Sequence, residues 1–155
     1  MYLEIGTGHG KSMASAIWQA KEGIKFFTVD IEDFSITTTS RMSRQEFFES
    51  EGLDTVCTFI KDESLNVAKN WSQGLFSMIF IDAIHTYEDG KKDILAWLPH
   101  LKSGGFMVFH DYSDPQFTLW QAINERVRDS DQLTDFRVAK DLGYGISSMA
   151  GAVKI

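Results

Sequence analysis

The chain has 155 residues, 43% of them hydrophobic and 24% charged, with a formal net charge of -7 at pH 7. That length suits one domain that buries about two-thirds of its unfolded surface. The acidic balance argues against a general grip on nucleic acid, the single cysteine (Cys57) against a disulfide or cysteine-rich zinc site, and the absence of any apolar run near about 20 residues against a membrane span.

In chain order, Tyr2, Leu3 and Ile5 form an apolar strand that runs into Glu4-Ile5-Gly6-Thr7-Gly8-His9-Gly10, with a helical pattern opening at Lys11-Ser12. Glycines at alternate positions in a strand-to-helix turn let backbone approach a ligand closely. A phosphate-gripping loop would need glycine where Ile5 stands, and a dinucleotide fingerprint would need it at Lys11. Ile24 to Asp30 reads as the second strand, and Ile31 to Met42 as a long irregular stretch that borders a ligand or forms a lid. Ser43 and Glu46 have capping-box spacing before Phe47 and Phe48. Thr55 to Ile60 reads as strand three, with Cys57 a buried core residue, and Ser64 to Trp71 as a helix. Phe76 to Ile81 is nearly continuous apolar, as in a parallel strand buried on both faces.

Tyr87 to Leu101 reads as a helix, after which Gly104-Gly105 turns the chain into strand five, Phe106 to Phe109. Phe117, Trp120, Ile123 and Val127 recur at helical spacing behind Pro115, placed as in a first helical turn. Phe136 to Val138 and Met149 to Ile155 read as an antiparallel strand pair joined around Gly143-Tyr144-Gly145. Trp18, Trp97 and Trp120 are expected in the core. Arg41, Arg44, Lys91 and Lys92 are expected on solvated faces. The pattern predicts an α/β, doubly wound, Rossmann-like open sheet, mostly parallel with an antiparallel pair at the C-terminal end.

Ligands of such sheets bind beyond the carboxyl ends of the strands, where Glu4, Asp30, Asp82, His85, His110 and Asp111 gather. Asp30, about twenty residues past the glycine loop, is placed to accept hydrogen bonds from a ribose diol, and Ile31 to pack on an adenine face. Asp82 and Asp111 close adjacent strands, each with a nearby imidazole, and are expected to ligate a hard divalent cation such as magnesium. Such an ion lowers the pKa of an acceptor hydroxyl, and His85 is positioned to take its proton as general base. His110 is open between third ligand, substrate partner and shaping residue.

The Glu-x-Gly-x-Gly-x-Gly loop resembles the first motif of the class I S-adenosylmethionine-dependent methyltransferases. Phe80-Ile81-Asp82, His85-Thr86-Tyr87, Asp93 and Leu101-Lys102-Ser103-Gly104-Gly105 through His110-Asp111 resemble their metal-dependent small-molecule O-methyltransferases, the branch of macrolide-sugar methyltransferases and cephalosporin hydroxylases. The resemblance implies that Gly6, Thr7, Gly8 and Gly10 host the methionine part of S-adenosylmethionine. Glu4 would hold the loop backbone or the α-amino group through water. Glu63 and Ser64 match the family's acid-serine pair at the adenine edge, where Asp62 is an equal partner on chemistry alone, and Asp82 closes the same pocket. His110 departs from the acid common in metal-binding members. The reading is one methyltransferase domain over residues 1–155 without the usual N-terminal covering segment, acting on a sugar, polyketide glycoside or catechol-like acceptor. It expects a cytoplasmic protein with no nucleic-acid or membrane partner, its missing cover leaving room for a homo-oligomer. The alternatives are a non-catalytic cofactor-binding or assembly domain and, further off, a P-loop-type nucleotide hydrolase suggested by Gly10-Lys11-Ser12.

Overall fold

Seven strands and five helices alternate along the computed structural model, which describes residues 1–32, 43–140 and 148–155. Most of the Ile31 to Met42 stretch, Arg41 and the Gly143-Tyr144-Gly145 turn therefore lie outside the described residues. The strands are β1 (Tyr2–Ile5), β2 (Phe26–Asp30), β3 (Cys57–Lys61), β4 (Phe76–Ile81), β5 (Leu101–Phe109), β6 (Leu133–Lys140) and β7 (Ser148–Lys154). The helices are α1 (Lys11–Gln19), α2 (Arg44–Ser50), α3 (Ser64–Asn70), α4 (Tyr87–Trp97) and α5 (Leu119–Ile123), the last continuing as a π-turn over Asn124–Arg128. None of the helices among the described residues is long and apolar enough to cross a membrane.

The sheet order is β3-β2-β1-β4-β5-β7-β6. The first five strands pair in parallel, and β7 runs antiparallel to both β5 and β6. The order reverses between β1 and β4, so the crevice at their carboxyl ends is the topological switch point where ligands of such sheets bind. Alternation along each strand feeds two apolar layers. Leu3, Ile5, Ile79, Ile81, Met107 and Phe109 join Trp97 and Ile94 of α4 in one. Phe26, Cys57 and Met13 join Phe48 of α2 in the other, where burial pushes the Cys57 thiol up to about 12.

Several elements differ from the sequence expectation. The fourth helix stops at Trp97, not Leu101, because Pro99 cannot continue an α-helix, and Leu98–His100 tightens into a 3-10 turn. Strand β5 then begins at Leu101, with an irregularity between its pairings Phe76↔Leu101 and Met78↔Phe106, where Gly104 has φ +72°. Pro115 precedes the fifth helix rather than entering it, since that helix opens at Leu119. Of the three tryptophans expected in the core only Trp97 is sealed; Trp18 and Trp120 are exposed. The capping box at Ser43 forms as expected, with Ser43 Oγ accepting from Glu46 N and Glu46 Oε2 accepting from Ser43 N.

Candidate functional site

The turn from β1 into α1 is built by its own residues before any ligand is considered. Gly6, Gly8 and Gly10 all have positive φ, at 86°, 49° and 78°. A Cβ on Gly6 would collide with the Asp82 carbonyl, and one on Gly10 with the Phe48 ring, whereas one on Gly8 would meet open space. Two of the three glycines thus serve loop-to-strand and helix-to-helix packing, and Gly8 alone leaves room above the loop. Asp30 Oδ2 accepts from Thr7 N at 2.9 Å and Gly8 N at 3.3 Å, tying the end of β2 to the loop. Thr7 Oγ1 lies 2.6 Å from Thr28 Oγ1 beneath it.

Glu4 is fully buried in the middle of the sheet, where its Oε1 accepts from Ser12 Oγ at 2.6 Å and its Oε2 has no hydrogen-bond partner among the described residues. Burial pushes this carboxyl up to about 8, with Asp82 and Asp30 adding to the shift and Ser12 opposing it. Ser12 is the hydroxyl that a phosphate loop would turn toward a metal, and here it is committed to Glu4. Arg44 is a correction to the sequence reading. It is buried, not solvated, with Nη1 3.4 Å from Asp30 Oδ2 and Nη2 2.8 Å from Glu32 Oε2. Its partners come from the end of β2, so its burial shows only when the tertiary structure brings α2 there.

A cleft of about 550 Å³ opens at the switch point. Its lining brings together Gly6, Gly8, Asp30, Ile31, Glu63, Ser64 and Asp82 of the expected residues, while Glu4, Thr7 and Gly10 stand behind the wall. The sequence reading missed Glu32, Leu65, Ile84, Asp89 and Lys92 on the same lining. Ile31, Leu65 and Ile84 are exposed aliphatic side chains on its wall, suited to a flat apolar ring. Ser64 is already engaged: its hydroxyl donates to Asp93 Oδ1 at 2.6 Å and accepts from Trp97 Nε1 at 2.8 Å. Burial raises the Asp93 carboxyl above its ordinary pKa, with the Ser64 hydroxyl opposing. Asp62 Oδ1 accepts from Glu63 N at 2.7 Å, which shapes the start of α3.

Beside the cleft, the ends of β4 and β5 bring Asp82, His85, His110 and Asp111 together, with one ligand atom from each within 4.8 Å of the others. His85 Nε2 lies 3.3 Å from Asp82 Oδ1 and 3.2 Å from Asp111 Oδ2. His110 Nδ1 lies 3.5 Å from Asp82 Oδ1 and 3.0 Å from Asp111 Oδ1. Asp82 belongs to both the cluster and the cleft wall. The Asp82 carboxylate holds the His85 imidazole above its ordinary pKa against partial burial, with Asp111 and Asp114 adding to the effect. Phe117 stacks on His85 at 4.4 Å between ring centroids and fixes its plane. Phe117, expected at helical spacing with Trp120, lies before the fifth helix, which opens at Leu119. Two carboxylates and two imidazoles fit a divalent ion by donor chemistry.

Comparison with known proteins bears on the family and the fold. No curated protein sequence matches the chain significantly. An O-methyltransferase from Bacillus cereus, solved in complex with SAH, has 18% identity and a TM-score of 0.77, over 99% of this chain and 73% of that one. The O-methyltransferase TomG from Streptomyces achromogenes, solved with SAM, has 14% identity and a TM-score of 0.72, over 99% and 72%. The N-methyltransferase NodS from Bradyrhizobium japonicum, solved with S-adenosyl-L-homocysteine, has 14% identity and a TM-score of 0.68, over 99% and 76%. At these identities the likeness is one of fold. The family model described as a methyltransferase domain matches residues 3–112, which run from β1 through the cluster at Asp111. The chain therefore belongs to the methyltransferase-domain family and has the doubly wound fold of the class I S-adenosylmethionine-dependent enzymes.

Proposed function

We propose that this protein transfers the methyl group of S-adenosylmethionine to a hydroxyl of a small molecule, with help from a divalent ion. The observation that carries the reading is the cleft at the switch point whose wall, at Asp82, is also a member of the two-aspartate, two-histidine cluster. The loop at Gly8 leaves room for the methionine part, and Asp30 and Glu32 stand where ribose hydroxyls donate. Ile31, Leu65 and Ile84 enclose the adenine, with Asp62 and Glu63 at its edge. The cofactors supply an electrophilic methyl and, from the ion, a lowered pKa for the acceptor hydroxyl. Asp82, Asp111 and His110 would hold the ion. His85, kept in plane by Phe117, takes the proton that the hydroxyl loses.

The acceptor class expected is a hydroxylated small molecule such as a sugar, a polyketide glycoside or a catechol. Calorimetric titration with S-adenosylhomocysteine tests the cofactor, and absence of binding by folded protein removes the reading. His85→Ala is expected to lower turnover about 10²–10⁴-fold, with S-adenosylhomocysteine affinity unchanged. Unaltered turnover in that variant points instead to a cofactor-binding domain without catalysis at this cluster.

A further inference from the structure

We infer that the Asp82–His85–His110–Asp111 cluster selects a borderline first-row divalent cation of the iron-to-zinc series over magnesium, and that His110 sets this choice. The inference rests on the proposed function only in taking the cluster as a metal centre, and it concerns which ion that centre holds.

Spacing comes first. Bonds of roughly 2.0–2.2 Å to one ion place neighbouring ligand atoms roughly 3.0–3.6 Å apart. The four nitrogen–oxygen separations in the cluster are 3.3, 3.2, 3.5 and 3.0 Å. Asp111 turns Oδ2 to His85 and Oδ1 to His110, and one ligand atom from each residue lies within 4.8 Å of the others, near enough for one ion to draw them together. Each imidazole nitrogen faces an oxygen of both aspartates. A ring nitrogen carries at most one proton and cannot point it at two acceptors in line. His85 Nε2 is sealed from solvent and has no hydrogen-bond partner of sound geometry among the described residues. A cation held by Asp82, Asp111 and His110 would take up the facing carboxylate oxygens and leave His85 Nε2 to accept a proton.

Donor type decides the ion. Magnesium demands a near-octahedral set of oxygens and gains little from imidazole. Ions later in the first row gain steadily from nitrogen, and imidazole suits iron, copper, nickel and zinc. Two aspartates neutralise a divalent charge, so neutral imidazoles complete the set without excess charge. His110 is fixed in the array because it follows Phe109, the last residue of β5, and its backbone N–H donates to Ile81 O at 3.1 Å. His85 stands on the loop after β4 with its Nε2 facing the same two aspartates.

The test uses the whole chain stripped of metal by a chelator and titrated with Co²⁺, Zn²⁺ and Mg²⁺. Cobalt binding is read from its visible absorption and the other ions by competition against it. The expected result is cobalt and zinc binding at least about 100-fold more tightly than magnesium. His110→Asp is expected to narrow that gap at least about tenfold, as is His110→Asn, while His85→Ala keeps the order of affinities. Magnesium binding within about threefold of cobalt overturns the inference. So does a gap that survives in both His110 variants, or saturable binding of none of the ions. Titration of the metal-free protein with S-adenosylhomocysteine reports separately on the methyl-transfer reading. Failure there with cobalt selectivity intact sinks that reading and leaves this one standing, and the converse holds.

Discussion

Gly6 and Gly8 lie in the same loop yet answer to different constraints. A side chain on Gly6 would strike the backbone of Asp82, which cannot yield, while one on Gly8 would enter open space on the cleft wall. Gly6→Ala is therefore expected to lower the melting temperature more than Gly8→Ala. The latter costs only about 1–2 kcal/mol for its left-handed backbone. Gly8→Val should weaken S-adenosylhomocysteine binding beyond its effect on stability. Equal melting temperatures for the two alanine variants would show that the loop does not press on β4. Glu4 makes a second prediction. Its folded pKa of about 8 lies above the ordinary carboxyl value of 4.5. Between those pH values the unfolded chain has released the proton that the fold retains, so stability falls as pH rises from about 4.5 to about 8 and then levels. Glu4→Gln should flatten that slope and be the more stable protein at pH 8, by an amount on the order of a few kcal/mol. Parallel melting curves for the two proteins across this pH range would refute the shifted carboxyl.

At the scale of elements, the junction of β2 with α2 carries the cofactor side of the proposed site. The capping box at Ser43 fixes where α2 starts and so delivers Arg44 onto the acids closing β2. Removing one partner of a buried ion pair costs about 3–5 kcal/mol, much of it from the charge left behind. Asp30 keeps its two loop amides, so the loss here falls toward the lower end. Arg44→Met is expected to lower the melting temperature and weaken S-adenosylhomocysteine binding about tenfold, since Asp30 loses its orientation. His85→Ala should leave that binding untouched. If Arg44→Met unfolds at a lower temperature but binds normally, the guanidinium serves α2 packing alone. On the reacting side, the loop between β5 and α5 is held by Tyr112 N and Ser113 N, which donate to Ser148 O and Oγ on β7. Just past Phe117, Thr118 N and Leu119 N donate to His85 O and hold the Phe117 ring beside the imidazole.

The whole molecule gathers its site from five strand ends, so ligand and fold are coupled. A ligand bound only by the folded state stabilises it by about 2.7 kcal/mol at one hundred times its dissociation constant. For a chain of this size that amounts to a melting shift of roughly 5–10 °C. S-adenosylhomocysteine should give such a shift and ATP should give none. A shift from ATP alone would favour the phosphate-loop alternative.

Sequence by itself determined what depends on near neighbours in the chain. The alternation of apolar runs with helical stretches, the glycine turn after β1, the capping box at Ser43, the buried β4 and the antiparallel β6–β7 pair all follow from local stereochemistry and periodicity. Through the doubly wound rule, the same pattern put Asp30, Asp82, His85, His110 and Asp111 at one edge. Tertiary structure alone decided which polar atoms meet. It buried Arg44, a residue type usually solvated, by bringing acids from β2 over it. It sealed Glu4 under the loop, engaged Ser64 with Asp93 and Trp97, and set Phe117 against His85. Spacing along a chain says on which side of a sheet a residue stands, but contacts between distant elements are fixed only when the layers pack and burial makes most polar groups take partners.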